Sequence, residues 1–155
     1  MCISSMELID NVGFFGPMLL FGVGIYTLRK RRIYLIVYIV FFAFNGLINR
    51  LMKMWICEPR PSNPSFVNQF DSDSGAEKYG MPSGHAQAIA YTVVFIYLTT
   101  QSLRFLIGTL FVGALTLHQR WAHNRHTPEQ LGVGSAVGSV VATVAFWATN
   151  KYIAG

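Results

Sequence analysis

Long uncharged stretches alternate with short polar connections along most of the chain. Five stretches are predicted to be helical spans: Val12–Leu28, Ile33–Leu51, His85–Thr100, Leu103–His118 and Leu131–Thr149. They lack the polar stripe every 3.6 residues that marks an amphipathic soluble helix. A helix of about 17 residues rises about 26 Å, slightly less than a bilayer's hydrocarbon core. The pattern predicts an all-α, polytopic transmembrane helical bundle of about five short spans, forming a single domain over residues 1–155.

Two local features refine this picture. The segment Met1–Asn11 has neither a positive region nor a cleavage site, so we expect the first span to be retained rather than removed as a signal peptide. In the last span, Gly134 and Gly138 have a Gly-x-x-x-Gly spacing. This spacing predicts close helix packing within the bundle.

Composition agrees with a membrane protein. Charged residues make up 12% of the chain and hydrophobic residues 52%, against about 25% charged in ordinary soluble domains. This balance excludes a disordered or nucleic-acid-coating protein and argues against a soluble globule. The expected partner is therefore a lipid bilayer and not a nucleic acid.

The charges are divided between the two predicted membrane faces. One face carries six cations and no acid: Arg29, Lys30, Arg31, Arg32, Arg104 and Lys151. All seven acids lie on the other face. Because positive residues in short loops mark the cytoplasmic side, the acidic face is predicted to be luminal or extracytoplasmic, as in an endoplasmic-reticulum-like or virion membrane.

The acidic face includes one long connection, Pro61–Met81. Its segment Asp71-Ser-Asp73-Ser-Gly75 has a faint similarity to a calcium loop, but the glycine is misplaced and the twelfth position lacks Glu. We expect a solvated loop. Cys2 and Cys57 both fall on this face. One disulfide is possible there, and two free thiols are favoured.

Two cations, Lys53 and Arg60, are seven residues apart at the end of the second span. They lie on roughly one face if the helix continues to Cys57, after which Pro59 and Pro61 stop it. Two cations at a membrane surface suit an anionic group such as phosphate. The alternative is a pair of cations that reach the interface from the end of a span.

The sequence Pro82-Ser83-Gly84-His85 opens the third span. Proline near a first turn favours a helix start, so the free amides of Ser83 and Gly84 could point at an anion. His85 beside them could give a proton to a leaving oxygen. The alternative is a plain helix cap with an interfacial histidine.

The third motif joins the last two spans and contains Arg120, His126 and Gln130. Arg120 offers a planar fork for phosphate, and an imidazole such as His126 can form a covalent phosphoryl intermediate. Thr127-Pro128-Glu129-Gln130 also fits a capping box, which could be the whole role of Gln130. Its side-chain carbonyl could in addition fix the tautomer of His126.

Lys-x6-Arg-Pro, Pro-Ser-Gly-His and Arg-x5-His occur in this order between Lys53 and Gln130. In these motifs the chain resembles the type 2 phosphatidic acid phosphatase superfamily of membrane lipid phosphatases. The resemblance implies a helical bundle and a metal-free phosphohydrolase without a cofactor. It implies His126 as nucleophile and His85 as general acid. The implied phosphate cradle consists of Lys53, Arg60, Ser83, Gly84 and Arg120.

Some positions depart from the superfamily pattern. Gln119 stands where Ser is usual, and Gln130 stands where the motif usually closes with Asp. In a catalytic triad an Asp-to-amide change can cost about 10⁴ in rate. The dolichyl pyrophosphate phosphatase branch is similar at this same position, with His-Thr-x-x-Gln, and has Ser where this chain has Gly84. Family members have about six spans, so the resemblance implies a missing peripheral helix here.

Three hypotheses follow. The leading one is hydrolysis of a lipid phosphate or a polyprenyl (dolichyl-type) pyrophosphate through a phosphohistidine. The second is a non-catalytic structural protein of an organellar or viral membrane that keeps the same bundle. The third is a metal site built from His85, His118, His123 and His126, whose spacing is not a standard zinc pattern. We expect no metal, with His118 and His123 as interfacial or packing residues.

Overall fold

The computed structural model describes residues 5–66, 71 and 73–153. Five long helices form most of this part: α1 Ser5–Leu28, α2 Arg32–Ile56, α3 Gly84–Thr100, α4 Leu103–Ala122 and α5 Pro128–Ala148. A 3-10 turn covers Gly75–Lys78, and a π-helical turn, Thr149–Ile153, follows α5. The described residues contain no strand, only an isolated bridge between Pro59 and Tyr79. The predicted all-α bundle is confirmed, and each predicted span falls on one helix.

Local chemistry sets the helix ends that flank the site. The hydroxyl of Ser83 caps α3 by accepting a hydrogen bond from the amide of Ala86. Thr127 and Gln130 form the predicted capping box at the start of α5. Helix α2 ends where Cys57 takes a left-handed conformation with φ 55°, so the chain leaves the helix before Pro59.

Helix α3 is the centre of the bundle, because it packs against α1, α2, α4 and α5. Its closest neighbour is α5, whose glycines let the two backbones touch. A Cβ on Gly134 would meet the main chain of Ser83, and one on Gly138 would meet the main chain of Gln87. The predicted small-residue packing within the bundle is confirmed.

A buried aromatic core fills the end of the bundle opposite the three motifs. Tyr38 and Tyr91 stack with ring centroids 5.6 Å apart, and the Tyr91 hydroxyl donates to the Tyr38 carbonyl. Between this core and the motifs, three buried amides connect α2 and α3. Gln87 bonds both Asn45 and Asn49, and Asn49 also donates to the carbonyl of Pro82. This network fixes the start of α3 against α2.

The outer surface is strongly apolar. Ile9–Leu28, Arg32–Ile56 and Pro128–Tyr152 are long and apolar enough to cross a membrane. Trp55 and Trp121 are exposed at the end of the bundle that carries the motifs, and Trp147 and Tyr152 are exposed at the other end. The length and apolarity of three helices thus support a membrane protein, while the crossing of all five helices stays a prediction.

Gly138→Ala tests the contact between α3 and α5. The new Cβ would meet backbone atoms that cannot turn aside, so we expect a destabilisation of about 1–3 kcal/mol. Thermal unfolding in detergent measures it. Gly132→Ala in the same helix is the matched control, since a Cβ there meets nothing within 4 Å. It should be neutral or slightly stabilising, and equal effects of the two changes would contradict the packing.

Candidate active site

The three motifs meet at one end of the bundle. The first follows the end of α2, the second caps α3, and the third connects α4 to α5. They surround a cavity of about 250 Å³. Its lining consists of Phe14, Arg60, Asp71, Glu77, Gly84, His85, Arg120, Arg125 and His126. Four of the site residues predicted from the sequence therefore line the same cavity: Arg60, His85, Arg120 and His126.

His126 is oriented by Gln130 and Arg60. Its Nδ1 lies 3.2 Å from Gln130 Oε1, and its Nε2 lies 3.2 Å from a guanidinium nitrogen of Arg60. A guanidinium can only donate, so Nε2 is the acceptor and Nδ1 carries the proton. The lone pair of Nε2 therefore faces the cavity side on which the cations lie.

The amide of Gln130 is itself held in one orientation. Its Nε2 donates to Glu58 Oε1 at 2.7 Å and to the carbonyl of Pro59 at 2.9 Å. These two acceptors leave Oε1 to face His126 and the amide of Thr127. Gln130 thus serves both as the capping residue and as the acceptor that fixes the histidine tautomer, and the two alternatives drawn from the sequence occur together.

Burial makes His126 a neutral imidazole. Loss of hydration is the main cause, with the positive charges of Arg60 and then Lys53 adding to it, and together they lower the pKa of His126 to about 2. The neutral form has the free lone pair that a nucleophile needs. The electrostatic environment therefore favours the reactive form of this residue at neutral pH.

His85 lies across the cavity, in the first turn of α3. Its Nε2 is 3.1 Å from the carbonyl oxygen of Phe14 and 3.4 Å from a guanidinium nitrogen of Arg120. The carbonyl is the nearer partner and only accepts, so Nε2 carries a proton and its 3.4 Å contact with Arg120 is not a hydrogen bond. This places an N–H beside the cavity, where a proton donor to a leaving group would stand.

Arg120 is almost completely buried at the end of α4. It donates from one nitrogen to both oxygens of Asp71, at 3.0 and 3.1 Å. Burial is the main cause that lowers its pKa to about 10, so it stays cationic at neutral pH. Its Nε is buried without a hydrogen-bond partner among the described residues. That nitrogen is a spare donor for an anion.

Lys53 and Arg60 reach the site differently. Lys53 is buried on α2, and its Nζ donates to Glu77 Oε2 at 3.0 Å and to the carbonyl of Tyr79 at 2.9 Å. It does not line the cavity itself. Arg60 donates to the carbonyl of Glu77 and to that of Arg125. Of the two cations of the first motif, Arg60 therefore lines the cavity, whereas Lys53 contacts Glu77, which lines it.

The second motif corrects one expectation. The amide of Ser83 is not free, because it donates to the carbonyl of Gln130 at 3.1 Å. Ser83 is fully buried and its hydroxyl caps the helix, so its part in the phosphate cradle by way of the amide is wrong. Gly84 lines the cavity as predicted. Its small size matters, since a Cβ would lie 3.2 Å from Asn49 Oδ1.

The structure adds residues that the sequence did not single out for the site. Asp71 has a side chain only 5% exposed, and Asp73 and Glu77 also pair with site cations. The prediction of a solvated loop is therefore wrong for Asp71, whereas the side chains of Asp73 and Glu77 stay partly exposed. Arg125 is buried and pairs with Asp71 and Asp73. The sequence does offer one indication of Arg125, because it is a cation next to His126 on the face where basic residues are not expected.

The other histidines and the cysteines lie apart from the cavity. His118 packs edge-on to Trp121, and His123 Nε2 lies 2.9 Å from Asp10 Oδ1. Among the residues with described positions, no group of three or more His, Cys, Asp or Glu could hold a metal ion. Cys57 is exposed, while Cys2 lies outside the described residues, so their pairing stays a prediction.

These features define a cavity lined by three arginines and two histidines at the end of an apolar helical bundle. The family model of the PAP2 superfamily matches residues 34–154. The chain therefore belongs to the PAP2 superfamily. The match includes all three motifs, α2 to α5 almost entirely, and not α1.

Curated relatives carry one activity name. A dolichyldiphosphatase of Saccharomyces cerevisiae is 32% identical over 113 residues, or 66% of this chain and 46% of that protein. Dolichyldiphosphatase 1 of Mus musculus and that of Homo sapiens are each 31% identical over 149 residues, or 84% of this chain and 60% of the relative. The chain thus spans about half to three fifths of their length. No solved structure matches it.

The low pKa of His126 predicts a loss of stability in acid. Below pH about 6.5 the unfolded chain protonates this imidazole, whereas the folded chain does so only near pH 2. Stability is therefore retained above about pH 6.5 and falls below it, by about 2 kcal/mol at about pH 5. Thermal unfolding at about pH 7.5 and about pH 5 measures this loss. His126→Asn removes the titrating group, so this variant should lose less stability between the two pH values. Equal losses of stability in the variant and in the unmodified protein would contradict the burial argument.

Proposed function

We propose that the chain is a metal-independent phosphohydrolase of membrane lipids, acting on a lipid phosphate or a polyprenyl (dolichyl-type) pyrophosphate. The observation that carries this proposal is the orientation of His126. Its Nδ1 proton is held by Gln130, and its Nε2 lone pair faces a buried cavity lined by Arg60, Arg120 and His85. A structural membrane protein has no use for a nucleophile prepared in this way.

The reaction would proceed in two steps. Arg60 and Arg120 hold the phosphate oxygens and stabilise the charge of the in-line transition state. His126 Nε2 bonds to phosphorus as the bond to the leaving oxygen breaks, and His85, in its imidazolium form beside the bound phosphate anion, gives that oxygen a proton and becomes neutral. Water then attacks the phosphohistidine, passes a proton to His85, and releases phosphate and the free imidazole. Both histidines end in their starting state.

A lipid substrate is supported by the surroundings of the cavity. A second, apolar cavity of about 450 Å³ lies beside the first, and the two share Phe14, Gly84 and His85. A phosphate in one cavity could therefore leave its hydrocarbon chain in the other. The names of the relatives favour a dolichyl-type diphosphate. With five spans, the charge distribution favours a multi-pass protein whose site faces the lumen or exterior.

His126→Ala tests the nucleophile. Purified protein in detergent with EDTA should release phosphate from farnesyl diphosphate or phosphatidic acid, and the variant should lose about 10³-fold or more. His118→Ala is the matched control, because His118 is exposed and outside the cavity. No release by the unmodified protein would favour the structural alternative. Inhibition by EDTA would favour the metal hypothesis.

Gln130→Glu tests the acceptor that orients His126. In the variant, a carboxylate oxygen would replace an amide 2.7 Å from Glu58 Oε1. Two carboxylates at this distance cannot both ionise, so we expect them to move apart and release the imidazole. The rate should fall about 10²-fold, less than the loss of about 10⁴ known for an inverted tautomer. Adding Glu58→Gln to this variant restores a hydrogen-bond donor, so the rate should recover at least about tenfold. A double variant no better than the single would exclude this role.

A further inference from the structure

We propose that Arg125 is a substrate-binding residue that bridges the two phosphoryl groups of a diphosphate, and so sets a preference for diphosphate over monophosphate. This inference rests on the proposed function and deepens it. The residue lies between the capped end of α4 and His126. It belongs to none of the motif positions that carry the family resemblance.

Arg125 is built into the cavity. Its side chain is 1% exposed and lines the same space as Arg60, Arg120 and His126. Its backbone amide donates to the carbonyl of Arg120, and its own carbonyl accepts from Arg60. The main chain is therefore fixed by both neighbouring cations, and the guanidinium has a defined place between them.

Asp71, which lines the cavity, and Asp73, which pairs with two of its arginines, show where oxyanions fit. Asp71 Oδ1 lies 3.0 Å from Arg120 and 3.5 Å from a terminal nitrogen of Arg125. Asp73 Oδ1 lies 2.8 Å from that same nitrogen of Arg125 and 3.2 Å from Arg60 Nε. Two anions thus sit side by side, and one guanidinium nitrogen joins them. Two linked phosphoryl groups present the same pair of negative charges.

Each oxyanion position shares an arginine with one histidine, through a different nitrogen of the same guanidinium. The Arg60 guanidinium is 3.2 Å from His126 Nε2, and the Arg120 guanidinium is 3.4 Å from His85 Nε2. A terminal phosphoryl group between Arg60 and Arg125 would face the nucleophile. The inner phosphate between Arg125 and Arg120 would face the proton donor. Arg125 would then hold both sides of the bond that breaks.

The chemistry of this step balances. His126 Nε2 bonds to the terminal phosphorus, and the bond from that phosphorus to the bridging oxygen breaks. The lipid monophosphate leaves with its electron pair, its charge is held by Arg120 and Arg125, and His85 supplies the proton. A monophosphate substrate occupies only the first position and gains less from Arg125.

A bound diphosphate cannot share these positions with the carboxylates. Phosphate and carboxylate carry the same sign, and their mutual repulsion in a buried site is large. The substrate therefore displaces Asp71 and Asp73 from Arg125 when it binds. The carboxylates neutralise these cations and compete with the substrate for them.

Arg125→Gln tests the proposal through a ratio. We compare kcat/KM for farnesyl diphosphate with that for farnesyl monophosphate. Loss of charge-assisted bonds should lower the diphosphate value about 10- to 100-fold, and the monophosphate value less than about threefold. Lys78→Gln is the control of equal charge, because Lys78 is exposed on the connection between α2 and α3 that carries Asp71 and Asp73. It should leave the ratio unchanged. Equal losses on both substrates with Arg125→Gln would overturn the proposal.

Asp73→Asn separates substrate binding from a structural ion pair. It removes the carboxylate but keeps Arg125 in place, so KM for the diphosphate should fall or stay unchanged. If Arg125 only holds the connection through its ion pair, this variant should show the same losses as Arg125→Gln, and the proposal would be wrong.

Binding of inorganic phosphates, measured without turnover, distinguishes a failure of the Arg125 proposal from a failure of the proposed hydrolysis. Inorganic pyrophosphate should raise the unfolding temperature of the unmodified protein more than orthophosphate does, and Arg125→Gln should abolish that difference. Absence of the difference in the unmodified protein would reject the role of Arg125. If pyrophosphate stabilises the protein more than orthophosphate does but no phosphate is released from lipids, the binding role of Arg125 is kept and the proposed hydrolysis is rejected.

Discussion

The residue on which the site depends most is Gln130, since it joins all three motifs. Its carbonyl oxygen accepts the amide of Ser83, and its side-chain nitrogen donates to Glu58 and Pro59. Its side-chain oxygen faces His126. Each of its polar atoms therefore has a partner on a different segment, so the position of the imidazole follows from a single well-satisfied amide. The close contact of this side chain with Gly80 adds a steric limit, because any Cβ at that position would overlap it.

Four buried or half-buried cations around one cavity would repel one another in the absence of counter-charge. Asp71, Asp73 and Glu77 supply it, each within hydrogen-bond distance of at least one cation. The connection that carries these acids thus contributes to the integrity of the site, although it is the least regular part of the described chain. Burial explains why the pairing is tight: desolvated charges are stable only when they are paired.

The helices and the principal site residues could be predicted from the sequence because both depend on local patterns. Uncharged runs define the helices, and capping residues fix their ends within a few positions. The order of the spans predicted that Arg60, Arg120, His85 and His126 lie on the same side, and the structure brings them together at one end of the bundle. The ion pairs of Asp71 and Asp73 could not be predicted in this way. They join residues about 50 positions apart through an irregular connection that has no period. The amide of Ser83 was misjudged for a related reason, since its partner on α5 depends on the glycine contact between the helices.

The exposed tryptophans at the end of the bundle that carries the site have a consequence for kinetics. Trp55 and Trp121 are exposed near the ends of α2 and α4 that lead into the motifs, and indole rings prefer the level of lipid headgroups. The cavity would then open where headgroups already lie, and a substrate would arrive by lateral diffusion within its own leaflet. Turnover would in that case follow the mole fraction of substrate in the surface rather than its bulk concentration. Added inert lipid or detergent would dilute the substrate even when the amount in the tube is constant.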